Sequence, residues 1–260
     1  MPHLSFIGKS NGVRQMKFDK NTFVPRATFA AIFATLIIAP QIKAEDVQDM
    51  SDPLAVYTQA GAGWTTKGAN IKLGQSYDTG HEETMAQHVL ELKGIGGDLL
   101  GTSSQATDSV DSMRYRHFHV DTTNGRGNQI DLNWNFEAGV GNASYSLIQS
   151  LPKLGAVQLY PLAGLGLTVD ESDSGYSVPS SFGLVGMYGK VEITDSIWLN
   201  YNPMYTTQLG GNDGYQESYG FVNEAAIGYQ ITPRQNIRAF WNWGETLDGT
   251  DFRVEMNYQF

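Results

Sequence analysis

Residues Asp251 to Phe260 read D-F-R-V-E-M-N-Y-Q-F. Phe252, Val254, Met256, Tyr258 and Phe260 fall on one parity; Arg253, Glu255, Asn257 and Gln259 fall on the other. Successive side chains of a β-strand point to opposite faces, so a strict period of two predicts a strand with one apolar and one polar face.

The same alternation recurs upstream, punctuated by Gly, Asn, Asp and Pro. In Gln129 to Ala138, Ile130, Leu132, Trp134, Phe136 and Ala138 oppose Gln129, Asp131, Asn133, Asn135 and Glu137. Apolar parities also run through Val157 to Val169, Ile197 to Tyr205, Tyr219 to Ile231 and Ile237 to Trp243. No stretch beyond residue 50 shows helical periodicity with caps. The chain is therefore read as all-β. Two architectures fit: a soluble sandwich with its apolar face inward, and a membrane barrel with its apolar face toward lipid and its polar face lining the interior. Aromatics near the ends of the apolar faces (Tyr201 and Tyr205, Trp241 and Trp243, Tyr258 and Phe260) suit the interfacial girdles of a barrel. So do connections that alternate short and long.

The composition agrees. The chain has 260 residues, 29 of them Gly and none Cys; aromatics make up 12%, with Tyr the commonest. An apolar fraction of 41% is too low for a bundle of membrane helices. The first 44 residues read as a secretory leader. Lys17, Lys20 and Arg26 precede the apolar run Thr28 to Ala39, Pro40 breaks it, and Ile42-Lys43-Ala44 offers a cleavage site before Glu45. Twelve apolar residues are too few for a spanning helix, which needs roughly 20. Met16 would give a leader of ordinary length and is the expected true start. Residues 45–260 then form a single domain with 11 Lys and Arg against 26 Asp and Glu, a formal charge of −15. That balance argues against nucleic acid as a partner, which requires a basic footprint.

The leader at 16–44, the segment Ala163-Gly164-Leu165-Gly166-Leu167 and the closing strand 251–260 together resemble the small porin-like outer-membrane β-barrels of Gram-negative bacteria. The resemblance implies a transmembrane antiparallel up-and-down β-barrel in the outer membrane. Its neighbours would be outer-membrane lipid and lipopolysaccharide, and the barrel assembly machinery would read the last strand through Tyr258 and Phe260. Phe260 would lie on the periplasmic side. Followed backwards from there, the expected external connections are 245–250, 209–217, 170–180, 139–142 and 96–109. The expected periplasmic ones are 232–233, 194–195, 151–156, 122–127 and 78–82. Lys67 to Tyr77 then needs a rising partner, which Leu54 to Gly61 supplies, and the count is twelve. Single-chain bacterial barrels have an even number of strands. Ten strands is the alternative, with 54–61 inside the lumen and no turn near 137–142. Strand glycines such as Gly74 are read as sites of curvature or close packing.

Taking the apolar parity as lipid-facing places Glu91, Lys93, Arg114, Arg116, Asp131, Glu137, Lys190, Glu192, Glu224, Arg238, Arg253 and Glu255 in the lumen. Arg or Lys at the lipid midplane costs about 2–4 kcal/mol, which is what holds such side chains inside. The expected function is that of a porin-like or structural barrel whose charged lumen is narrow or filled, with no cofactor and no metal. Two alternatives accompany it. One is a barrel-wall hydrolase of envelope lipids or peptides using His117 and His119, which share a strand face opposite Arg114 and Arg116, with Ser112 and Asp121 nearby. The other is an adhesin or receptor acting through its external loops. Asp170, Glu171 and Asp173 lack EF-hand spacing and are read as a solvated acidic loop.

Overall fold

The computed structural model describes residues 47–103, 106, 109–173, 175–247 and 249–260. The expected leader and its cleavage site lie outside them. Twelve strands follow one another: β1 (Gln59–Thr65), β2 (Gly68–Asp78), β3 (Thr84–Ile95), β4 (Ser112–Asp121), β5 (Arg126–Asn135), β6 (Val140–Gln149), β7 (Val157–Ser172), β8 (Gly175–Glu192), β9 (Ile197–Gly211), β10 (Phe221–Thr232), β11 (Gln235–Gly244) and β12 (Asp251–Gln259). Each pairs antiparallel with its neighbours in sequence, and β12 returns to β1 to close the barrel. The closing register sets Tyr258 opposite Ala60, Met256 opposite Ala62 and Val254 opposite Trp64. The Phe260 amide donates to the Thr58 carbonyl at 3.0 Å. Closure leaves no strand edge unpaired.

Burial is inverted relative to a soluble sandwich. Along β12, Arg253, Glu255, Asn257 and Gln259 are buried, whereas Met256 (48% exposed) and Phe260 (62%) face out. Leu165, Leu167, Leu199, Ile227, Ile237 and Trp241 are likewise exposed on the outer wall. Apolar patches on soluble monomers rarely exceed a few hundred Å². A continuous apolar exterior around a polar interior is stable only against hydrocarbon.

Local chemistry explains the tight turns. In D-T-T-N-G (121–125) and N-F-E-A-G (135–139), the first side chain accepts from the backbone of the turn. Asp121 Oδ1 takes the Thr123 amide at 2.9 Å, and Asn135 Oδ1 takes those of Glu137 and Ala138 at 3.0 and 2.8 Å. Gly125 and Gly139 then close the turns at φ 67° and 64°, where a side chain would be strained.

The structure corrects several expected boundaries. The first strand is Gln59–Thr65, not Leu54 to Gly61. Leu54, Val56 and Tyr57 instead lie buried inside the barrel. Twelve strands survive because β1 continues to Thr65 and turns at residues 66–67. The ten-strand alternative placed 54–61 inside the lumen, which holds only up to residue 58, and the turn near 137–142 that it omitted is present. Most of 170–180 is strand: β7 runs on to Ser172 and β8 starts at Gly175, with Asp170 opposite Ser177 and Glu171 opposite Tyr176. β9 likewise extends to Gly211. The long connection after β3 holds a helical turn, Gly97–Leu100. Tyr219 lies before β10 and turns inward, its hydroxyl 2.8 Å from Thr168 Oγ1 and 2.9 Å from Ser180 Oγ.

Candidate functional site: the charged belt of the lumen

Inward positions of seven strands bring the charges together. Lys72 comes from β2, Glu91 and Lys93 from β3, Arg114 and Arg116 from β4, and Asp131 from β5. Glu224 comes from β10, Arg238 from β11, and Arg253 and Glu255 from β12. Most of these groups are paired. Arg114 Nε donates to Asp131 Oδ1 at 2.9 Å. Arg116 pairs with Glu91, which also lies 3.4 Å from Lys93 and 4.0 Å from Arg253. Lys72 pairs with Glu255. Arg253 reaches Glu224 at 3.4 Å and Glu255 at 3.6 Å. Burial of so many charges is tolerable only when each finds opposite charge and hydrogen bonds.

Six cations face four carboxylates in this belt, so it carries a surplus of positive charge. Arg238 is the clearest part of that surplus. It donates to Asn200 Oδ1 at 3.1 Å and has no carboxylate partner among the described residues. Its guanidinium lies 4.7 Å from the centre of the Phe240 ring, and that of Arg253 lies 3.9 Å from the same ring. An aromatic face attracts cations without neutralising them.

The belt separates two spaces. The larger, about 810 Å³, opens toward the connections between β1 and β2 and between β11 and β12; amides and hydroxyls dominate its wall, among them Asn133, Asn142, Asn242, Ser144 and Thr206. The smaller, about 280 Å³, lies toward the C-terminal end of β12 and is walled by Met50, Asp52, Ala55 and Tyr57 together with Lys72 and Arg238. Arg114, Glu224 and Arg253 line both.

Three residues named from sequence sit elsewhere. Glu137 is exposed in the β5–β6 turn, two residues past the end of β5 at Asn135. Lys190 and Glu192 lie at the terminal end of β8, where Lys190 bridges Glu192 at 3.0 Å and Asp49 at 2.7 Å. Lys72 was overlooked, although its signal was present: Asn70, Lys72, Gly74 and Ser76 alternate with Ile71, Leu73 and Tyr77. Asp49 and Tyr57 carried no such signal, since their place depends on a segment with no period. Burial alone would raise Asp49, but hydrogen bonds from Lys190 and Ser51 outweigh it and hold the carboxyl below its ordinary value. Burial pushes the Tyr57 phenol up to about 12.

His117 and His119 lie on the outer face of β4. His117 Nε2 is 2.7 Å from the Tyr77 hydroxyl, and His88 Nδ1 is 2.6 Å from that of Tyr115. The His88 and His117 rings are 4.9 Å apart. Among the described residues neither His117 nor His119 has a serine or carboxylate hydrogen-bonded to it, and no group of three or more His, Cys, Asp and Glu could hold a metal.

A closed twelve-strand antiparallel barrel with a polar, charged interior and an apolar exterior defines the class: the small outer-membrane β-barrel fold. The chain is similar to an outer membrane channel from Pseudomonas putida F1, at 9% identity and a TM-score of 0.55 over 85% of this chain and 100% of that one. It is also similar to the KdgM porin, at 10% identity and a TM-score of 0.50 over 79% and 99% of the two chains. At such identities the likeness is one of fold. No protein-family model matches the sequence, and no curated protein matches it.

Proposed function

We propose that this protein is an outer-membrane channel of porin-like type, passing small polar solutes through a constricted, charge-lined lumen. The carrying observation is the belt: charged side chains from seven strands, between two polar spaces, inside a barrel whose exterior suits lipid. A structural barrel needs only a filled interior, whereas about 810 Å³ of space lined by amides and hydroxyls offers a polar solute room and hydrogen bonds. The similar solved structures are described as an outer membrane channel and a porin, which supports the same reading.

The belt's surplus of cations favours anions at the narrowest point, where fixed charge acts at short range and low dielectric. The test is current through planar bilayers holding the refolded protein under a salt gradient. Solute-dependent current with a reversal potential displaced toward that of the anion is expected. Current that stays at the bare-bilayer level in every condition would count against a channel.

A second reading, surface recognition, draws on the extended β7–β8 hairpin, where Tyr176 (71% exposed) and Val178 (58%) stand out. Its test is adhesion or phage binding by cells whose barrel lacks residues 173–178. Unchanged binding removes it.

A further inference from the structure

We infer that Gln48 to Tyr57 is a plug: it closes the lumen at the end where β12 finishes, and its displacement opens the pathway. The inference rests on the channel reading above.

The inner wall itself asks for a cover. Val120, Ile148, Tyr160 and Leu162 take inward positions on β4, β6 and β7, where a water-filled barrel would carry polar side chains. Leu54 and Val56 pack into that apolar patch and complete a buried cluster. Met50 and Val56 are each 3% exposed. The patch therefore has a fitted occupant within the same chain, and an uncovered patch would expose apolar surface to water.

Polar attachments sit around this apolar centre. Gln48 and Gln259 exchange hydrogen bonds, the Gln48 amide donating to Gln259 Oε1 at 3.0 Å and Gln259 Nε2 to the Gln48 carbonyl at 2.8 Å. Lys190 holds Asp49 at 2.7 Å. The Tyr57 amide donates to Gln87 Oε1 at 3.2 Å, and Gln87 Nε2 donates to the Ala55 carbonyl at 3.4 Å.

The segment is separable from the hoop. Its residues are turn and coil, and the ladder to β12 and β2 begins at Gln59. Leaving the lumen would cost the side-chain and cap contacts just named but no rung of the barrel. Met50, Asp52, Ala55 and Tyr57 wall the smaller space, so their departure would join it to the terminal mouth.

The chain contains no cysteine, which makes a reversible lock clean. Met50 Sδ lies 3.5 Å from Gln230 Nε2 on β10. In a Met50→Cys, Gln230→Cys protein, a reducible bifunctional thiol reagent would tether the plug to the wall. A second variant lacks residues 48–57 and keeps β1 whole. Bilayer current should be lost in the tethered protein, return on reduction, and be at least as large in the deletion variant. Equal current in tethered and reduced forms overturns the plug while leaving the channel standing. No current in the deletion variant overturns both, since the belt would then seal the lumen by itself.

Discussion

At the residue scale, the belt makes single charges consequential. Glu255 is 2% exposed and faces Lys72 and Arg253, so Glu255→Gln leaves Lys72 without its carboxylate partner and Arg253 with Glu224 and Glu91 alone. Breaking a buried pair in this way costs about 3–5 kcal/mol. The urea midpoint of the protein in vesicles should fall accordingly, and Lys72→Met combined with Glu255→Leu should recover most of the loss. A midpoint unmoved by Glu255→Gln would mean that water reaches the pair. Asp49 sets a pH limit on the plug. Its carboxyl is depressed, so its latch to Lys190 is intact at and above the ordinary carboxylate range and is lost only as pH falls through the lowered value. A fluorophore on a Met50→Cys variant should report no change from neutrality down to about pH 5 and a change only in stronger acid. A transition near pH 6 would contradict the latch.

At the element scale, the inner wall trades glycine for aromatic volume. Gly228 faces Trp198 across the β9–β10 ladder, and a Cβ there would sit 2.2 Å from the indole. Gly166 makes the same space for Phe182. Trp198 is buried and donates to Asn200 Oδ1 at 3.0 Å, the oxygen that also receives Arg238. Gly228→Val should therefore cost about 1–3 kcal/mol by overpacking and change the near-ultraviolet circular dichroism of the tryptophans. An unchanged spectrum would show that the indole moves aside freely. The period of two reveals such glycines as breaks in a strand, but not the ring that crosses over them. The length of β7 and β8 was hidden for a related reason: D-E-S-D-S-G-Y-S-V-P-S has the composition of a loop, and only pairing between the two strands makes it a ladder.

At the scale of the whole molecule, a closed hydrogen-bonded cylinder should resist detergent at low temperature. The protein should migrate faster in detergent gels before boiling than after, and fractionate with the outer membrane. Recovery as a soluble periplasmic protein would overturn the reading of its exterior. The belt predicts the sign of selectivity. Arg238→Gln removes a cation that has no carboxylate partner among the described residues, so the reversal potential should shift away from the anion with little loss of stability. A shift in the opposite direction would place the governing charge elsewhere, with Asp111 and Asp251 near the distal mouth as the next residues to change.

The sequence by itself determined the fold class and the closing strand, because both follow from alternation, a local property enforced by lipid outside and charge inside; the count of twelve needed the even-number rule as well, and its first strand lies at Gln59–Thr65. The tertiary structure alone decided what fills the lumen. Residues 54–58 carry no period, yet Leu54 and Val56 bury themselves in an apolar wall contributed by β4, β6 and β7, which meets them only once the barrel has closed. Which charges pair, and that Arg238 faces an aromatic ring instead of a carboxylate, depends likewise on distances across the lumen that no period in the chain encodes.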